Sequence, residues 1–513
     1  MFTSSVRYSS RFTCASLIAA GLVAVLAACG GGGEGAAPAS TGSPSSGIPG
    51  PVAGGSTPDL PPGGTPPVPA PGGTPPMSAA LRMFVDTTYS TSNARIAVDP
   101  AGGKHAAFAY YEPNVEQRPT SAVYRYCASV CENADSWQEV RMGTLVRSVQ
   151  LKLTPQGKPR LMFAADSTVY TGGLDHFYAT CDTGCGQAAA WTVTRVFSGR
   201  VPAYNLDNDD QLPQRSFALD AEGRPRFVVF DENQLAEPQH FGLYYMTCDT
   251  GCSDAHNWGE TLISVVQRYA VERASQPALA ISPDGRPRVT SAQFFALNSN
   301  LAVLMYLACE QACDRSANWG RAELMPRGGG SEPSADIAVD AQGRPRIAFY
   351  QEALLEGQGK RLHYLACDDG CLDPARWSIV DLGLGFSNGQ EPDLELDVQG
   401  RPRIAYSDWD SGGIGYAWCD QNCAGGSANW QHKLLEQRAA LYDAWPVAYP
   451  FHCDGGLWNT LTPTLSLPAD GPAQIAFDAI YNARCWYDDT TDSYPPTSEM
   501  HQIKRAARLL TVE

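Results

Sequence analysis

The sequence is poor in histidine, in positive charge and in long apolar runs. Only 8 of its 513 residues are histidine. None recurs beside the cysteines, which are therefore without a regular partner for a mixed zinc site. Lys and Arg number 37 against 54 Asp and Glu, for a net charge of −17. A body this acidic repels phosphate backbones, so nucleic acid is not an expected partner; metal cations, basic peptides and neutral glycans are compatible. Neither a P-loop nor an H-E-x-x-H occurs, which removes the phosphate-cradling glycine loop and the helical zinc-protease signature. The one marked apolar run, residues 15–28, follows Arg7 and Arg11. It is too short to span a bilayer comfortably and reads as a secretory signal.

That run ends in Leu26-Ala27-Ala28-Cys29-Gly30. The stretch resembles the lipobox of bacterial lipoproteins, with small residues at the cut and then a cysteine that takes the lipid. The resemblance implies a signal peptide over 1–28, acylation of Cys29, and, from Gly30 in place of Asp, an address at the outer membrane. It leaves open which face of that membrane the chain occupies. Residues 29–77 are nearly all Gly, Pro, Ser, Ala and Thr. Such a segment buries too little apolar surface to offset its ordering entropy, so it reads as a flexible tether. Residues 78–513 are long for one ordinary core, and no second linker interrupts them, which favours a repeat array over a row of domains.

The array is visible in the letters. An alternating apolar run, a turn ending in Gly and a second apolar run recur seven times, beginning at Ile96, Leu151, Phe217, Leu279, Ile337, Leu394 and Leu465. IAVDAQGRPRIAFY from Ile337 is representative. Period-two alternation is strand-like, and in D-x-x-G the Asp bonds back to its own backbone while Gly takes the positive φ, so each phrase is a hairpin. A second phrase follows six of the seven: an apolar run, C-x-x-x-C, then Trp. Its cysteine pairs are Cys127 and Cys131, Cys181 and Cys185, Cys248 and Cys252, Cys309 and Cys313, Cys367 and Cys371, and Cys419 and Cys423. Its tryptophans are Trp137, Trp191, Trp258, Trp319, Trp377 and Trp430. This adds a third and a fourth strand. Four antiparallel strands in units of about 60 residues predict an all-β fold, a seven-bladed β-propeller. The last blade takes its third strand from the C-terminal run HQIKRAARLLTVE. Its fourth is expected from the N-terminal run at 80–87, closing the ring.

Twelve paired cysteines in an exported chain read as six disulfides, each closing a short loop that gains roughly 2 kcal/mol. Zinc would need four ligands, and the pairs stand on different blades. Cys453 and Cys485 remain; they fall in two long loops and are expected to bond to each other. The C-D-x-G-C turn before Trp, as in Cys181-Asp182-Thr183-Gly184-Cys185 with Trp191, resembles the Asp-box (BNR) repeat of sialidase-like propellers. The likeness covers about residues 95–479. Both Asp and Gly stand in three units, at 182/184, 249/251 and 368/370. The resemblance implies that these turns are structural and lie opposite the ligand face.

That face is then the one made by the second-to-third-strand loops and the blade connections. Acids recur where second strands exit towards it: Glu112, Asp166, Asp231, Glu232, Glu352, Asp408, beside Trp409, and Asp478. Several carboxylates at one mouth can bind a cation or serve as acid and base in glycoside chemistry. Each can equally cap its strand or pair with an arginine. The stretch 205–210, with Asp207 and Asp209, resembles a calcium loop in composition alone and lacks EF-hand spacing and its closing Glu; no other cofactor is expected. Arg226, Arg288, Arg346 and Arg403 recur in G-R-P-R. A sialidase needs three convergent arginines, but residues repeated in every blade are more simply structural, pairing with turn acids such as Asp220, Asp340 and Asp397. The family's F/Y-R-I-P motif is missing, and no catalytic residue is assigned. The sequence therefore reads as a monomeric, lipid-anchored envelope module that binds an extracellular or periplasmic glycan, polymer or protein. The alternative is a sialidase-like glycoside hydrolase or lyase acting on extracellular carbohydrate.

Overall fold

The computed structural model describes residues 90–512 except 112–118, 132–133, 171–172, 201–214, 234–239, 268–276, 297–298, 326–327, 330–333, 353–359, 385–387, 437–452 and 487–497. Seven antiparallel sheets follow one another in chain order, each with its strands in sequence order. Blade 1 holds β1 (Ser90–Val98), β2 (Lys104–Tyr111), β3 (Pro119–Cys127) and β4 (Gln138–Met142). Blade 2 holds β5 (Val146–Leu153), β6 (Pro159–Asp166), β7 (Gly173–Thr180) and β8 (Thr192–Arg200). Blade 3 holds β9 (Phe217–Leu219), β10 (Pro225–Asn233), β11 (His240–Thr247) and β12 (Gly259–Gln267). Blade 4 holds β13 (Ala278–Ile281), β14 (Pro287–Ala296), β15 (Ser299–Cys309) and β16 (Trp319–Glu323), with β17 (Gly328–Gly329) also on β15. Blade 5 holds β18 (Ser334–Val339), β19 (Pro345–Glu352), β20 (Lys360–Ala366) and β21 (Ser378–Asp381). Blade 6 holds β22 (Asn388–Leu396), β23 (Pro402–Asp408), β24 (Gly413–Cys419) and β25 (Trp430–Glu436). Blade 7 holds β26 (Cys453–Ser466), β27 (Ala473–Trp486) and β28 (Ser498–Val512). This is the seven-bladed propeller expected from the repeats.

The C-terminal run is the third strand of blade 7, paired with β27 from Ala473–Val512 to Trp486–Ser498. The run 80–87, expected as that blade's fourth strand, lies outside the described residues. Closure is nonetheless visible in the packing. Ala94, Ile96 and Phe108 of blade 1 share one apolar cluster with Ala476, Ala507 and Leu509 of blade 7. Six further clusters fill the other blade junctions. The core is thus seven interfaces in a ring, because each twisted sheet buries both faces against its neighbours.

The repeated phrases account for the end of the ring that carries the clipped turns. All six C-x-x-x-C pairs are disulfides, as expected. Cys127 bonds to Cys131, Cys181 to Cys185 and Cys248 to Cys252. Cys309 bonds to Cys313, Cys367 to Cys371 and Cys419 to Cys423. A single 3-10 turn, such as Ala255–Asn257, spaces each pair from its Trp. In every unit the indole N–H donates to the carbonyl of the second cysteine, as Trp258 does to Cys252 at 3.0 Å. The same bond runs from Trp137 to Cys131, from Trp319 to Cys313, from Trp377 to Cys371 and from Trp430 to Cys423. A tyrosine three residues before the first cysteine then meets the next blade's Trp, edge-on in Tyr124–Trp191, Tyr178–Trp258, Tyr245–Trp319 and Tyr306–Trp377 and tilted in Tyr364–Trp430. The recurrent arginines clamp the same place. Arg226 donates to the Cys248 carbonyl at 2.7 Å, to Asp220 at 3.0 Å and to Asp249 at 2.6 Å. Arg346 repeats the pattern with Asp340 and Asp368, and Arg403 with Asp397 and Asp420. Arg288 uses Glu310. In blades 3, 5 and 6 the arginine ties the hairpin turn to the clipped turn; in blade 4, where Ser282 stands in the place of the turn Asp, Arg288 holds the clipped turn through the Cys309 carbonyl and Glu310.

Candidate functional site

The first strand of each blade lies at the ring axis, with one edge unpaired. Backbone donors buried at that edge need partners. The residue before the first apolar position of each hairpin supplies many of them. Around the ring these are Arg95, Gln150, Ser216, Ala278, Asp336, Asp393 and Thr464. Gln150 accepts the Phe217 N–H at 2.9 Å, Asp336 that of Leu394 at 2.7 Å, and Asp393 that of Leu465 at 2.6 Å. Thr464 donates to the Ala94 carbonyl at 3.0 Å, and Arg95 to that of Val149 at 3.2 Å. Each latch runs from one blade to the next.

Blades 6, 7 and 1 add a strained element at the same level. Glu391, Thr462 and Asn93 have φ of 49°, 51° and 58°. Each stands two residues before the latch position, inside a register shift of its inner strand. A side chain in the left-handed region costs about 1–2 kcal/mol and persists only where neighbours over-determine it. Here the neighbours are acids. Glu391 accepts the Thr462 N–H at 2.5 Å. Asp478, fully buried, accepts the Asn93 N–H at 2.6 Å and the Thr462 hydroxyl at 2.7 Å.

Two cations cross the axis. Arg215, from the connection into blade 3, reaches Asp393 of blade 6 at 3.1 Å and Asp336 of blade 5 at 3.9 Å. It also donates to the carbonyls of Glu391 at 2.9 Å and Pro463 at 3.3 Å. Lys152 of blade 2 approaches Glu395 of blade 6 at 3.8 Å. The inner strands run away from the loop side, so Lys152–Glu395 is the level nearer the clipped turns. The cavity between these residues measures about 420 Å³, within the roughly 300–1,000 Å³ of small-ligand pockets. Burial raises the Asp336 carboxyl to about 7, with the charge of Asp393 adding to the rise and Arg215 opposing it. Burial, reinforced by Arg215, lowers the Arg95 guanidinium to about 10.

Of the acids singled out in the sequence, the four whose side chains are described, Asp166, Asp231, Asp408 and Asp478, have different surroundings. Asp478 is buried as a backbone anchor beside the inner strands of blades 7 and 1. Asp166 is held by Arg147 at 2.7 Å at the edge of blade 2. Asp231 lies within β10, opposite Gly242 and two residues before the strand's end. Asp408 caps its own turn by accepting the Ser411 N–H at 3.0 Å, and Trp409 beside it is 41% exposed. The side chains of Glu232 and Glu352 lie outside the described residues, as do Glu112, Asp207 and Asp209. Cys453 and Cys485 are direct partners across β26 and β27, although their side chains are not described. Among the described residues no group of three or more His, Cys, Asp or Glu is placed to hold a metal.

Arg95, Arg215, Asp336, Asp393 and Glu391 were missed. One signal was available: in the register of the seven hairpins, the column before the first apolar residue is polar or charged in six blades. Also missed was Gly385-Phe386-Ser387-Asn388-Gly389, which has the letters of a nucleophile elbow. That motif needs a strand–turn–helix context, and here it leads into the inner strand β22.

No family model matches the chain, and no curated protein matches it. Several solved structures are similar at low identity. A protein of unknown function from Dyadobacter fermentans is 9% identical with a TM-score of 0.41, over 84% of this chain and 98% of that one. An α-L-arabinofuranosidase of Fusarium graminearum is 13% identical with a TM-score of 0.41, over 64% and 92%. The polysaccharide lyase Uly1 is 8% identical with a TM-score of 0.41, over 82% and 89%.

Proposed function

We propose that this chain acts on extracellular carbohydrate at the axial cavity, hydrolysing a glycosidic bond with Asp336 as proton donor and Asp393 as its carboxylate partner. One observation carries the reading: two carboxylates share Arg215 in one cavity, and one of them stays protonated near neutrality. Paired acids in unequal environments are what acid–base cleavage of a glycoside needs. Asp336 gives its proton to the departing oxygen as the anomeric C–O bond breaks. Asp393 takes a proton from the water that adds to the anomeric carbon, and Arg215 leaves Asp393 for the sugar's oxygens. Carbohydrate is the class indicated by the Asp-box resemblance of the clipped turns. The lipobox-like stretch ending at Cys29 and the tether-like composition of 29–77 support an address at the outer membrane.

A second reading, a binding module without turnover, is favoured by one fact. Both acids also accept a backbone N–H from the next blade and are only about a tenth exposed. A panel of chromogenic glycosides and a glycan array, each with wild type, Asp336→Asn and Asp393→Asn, separates the two. Turnover lost in both variants, with the unfolding midpoint retained, supports hydrolysis. Array binding without turnover supports the module, and neither signal in wild type sinks both.

A further inference from the structure

We propose a second carbohydrate site, for a neutral saccharide, in the cleft between blades 1 and 2 at the clipped-turn end of the ring. It goes beyond the axial reading and does not depend on it. Comparable grooves lie between blades 4 and 5 and between blades 5 and 6, at homologous positions of the repeat. Their volumes are about 260 Å³ and about 430 Å³, against about 640 Å³ between blades 1 and 2.

The difference has a residue-level cause on each wall. In blades 4, 5 and 6 the first wall carries the clamp arginine and the acid after the first cysteine: Arg288 with Glu310, Arg346 with Asp368, Arg403 with Asp420. In blade 1 both are gone. His105 stands in the arginine's place and Ala128 in the acid's, and Gly103 replaces the arginine two residues earlier. On the second wall, the residue after the second cysteine is Leu372 in blade 5, Ala424 in blade 6 and Gly186 in blade 2. Volume rises in that order. A Cβ on Gly186 would fall 1.9 Å from the Gln138 amide oxygen, so only glycine lets that side chain lie across the turn.

What the opening exposes is organised. His105 is buried, with Nδ1 at 2.7 Å from the Tyr124 hydroxyl and Nε2 at 3.1 Å from Asp99. This fixes the floor of the cleft. The Tyr126 ring, half-buried and 4.7 Å from the imidazole between centroids, forms a flat wall. Exposed Gln138, Gln156 and Gln187 rim it with amide donors and acceptors. Charged groups also line the cleft, and they balance: Lys158, with Arg160 on Asp182 at 2.7 Å, stands against Asp99 and Asp182. A preformed aromatic wall among amides and balanced charges suits a neutral ring that is apolar on its faces and hydroxylated at its edge.

The test is saturation-transfer NMR and calorimetry with cellotetraose, xylotetraose and arabinotetraose on the intact propeller. The double variant, His105→Arg with Ala128→Asp, rebuilds the clamp of the other blades, with Asp99 already in place as its second acid. It is expected to unfold no earlier than wild type. Gly186→Leu closes the cleft from the other side, where the new side chain displaces only the end of an exposed glutamine. At least one tetraose binds wild type, and each variant weakens it roughly tenfold or more, while Asp393→Asn does not. Should the double variant fail to fold, Gly186→Leu alone decides. No binding of any tetraose to wild type, or binding lost in Asp393→Asn and kept in the cleft variants, overturns the site. The second outcome assigns the sugar to the axial cavity instead.

Discussion

Replacing Asp336 with Asn should stabilise the propeller at neutral pH and leave it almost unchanged near pH 4. The Asp336 carboxyl lies at about 7 in the folded chain against an ordinary 3.8. Between those values the folded chain keeps a proton that the unfolded chain releases. The unfolding free energy therefore falls as pH rises through this window and levels off above it. A gap of about three pH units at about 1.4 kcal/mol each sets an upper figure of about 4 kcal/mol. Asparagine cannot ionise, yet its carbonyl still accepts the Leu394 N–H. At roughly 2.1 cal/mol/K per residue, a propeller of this size shifts its midpoint by about 1 °C per kcal/mol. The difference between the Asp336→Asn variant and wild type should thus grow from near zero to at most about 4 °C between about pH 4 and about pH 7. Differential scanning calorimetry with the disulfides intact reads this directly. Taking the difference cancels the titrating groups that do not interact with Asp336; the charge of Asp393, which does, stays in it. A difference that is flat with pH, or that favours wild type more at neutrality, would refute both the raised carboxyl and its use as a proton donor.

Four further outcomes are expected. His176 is buried between Phe197 and Phe227, and burial lowers its imidazole to about 4. Its contribution is present above about pH 6.5 and is lost as pH falls towards 4, by about 3 kcal/mol; His176→Phe should remove that acid-side loss in chemical denaturation. Trp258→Phe keeps the edge-on contact with Tyr178 but loses the bond to the Cys252 carbonyl, and should cost about 1–2 kcal/mol in the same assay. Mass spectrometry of unreduced peptides should recover Cys453 linked to Cys485; two free thiols would count against the staple. Deleting residues 78–88 should lower the thermal midpoint, and an unchanged midpoint would exclude them as the fourth strand of blade 7.

The repeat made the scaffold legible. Each hairpin, clipped turn and tryptophan is specified within one unit of about 60 residues, where local turn chemistry and period-two alternation act. Even the role of the G-R-P-R arginines could be inferred, since a side chain present in successive blades meets equivalent positions in each: the carbonyl of the first cysteine and the acid after it in four blades, and the turn Asp in three of them. The axial group was not legible for the opposite reason. Arg215, Asp336, Asp393 and Glu391 differ from blade to blade and come from connections and inner strands far apart in the chain. Their meeting depends on the ring closing.

The fold and its stapled turns were therefore determined by the sequence alone, because both arise from contacts within a blade or between equivalent positions of neighbouring blades. Two things were decided by the tertiary structure: which charges share the axis, and which blade junction is open. An ion pair across a ring, or a cleft left by His105, Ala128 and Gly186 together, exists only where separate walls are brought face to face. Burial at that meeting then sets the charge state of Asp336, a property no single segment carries.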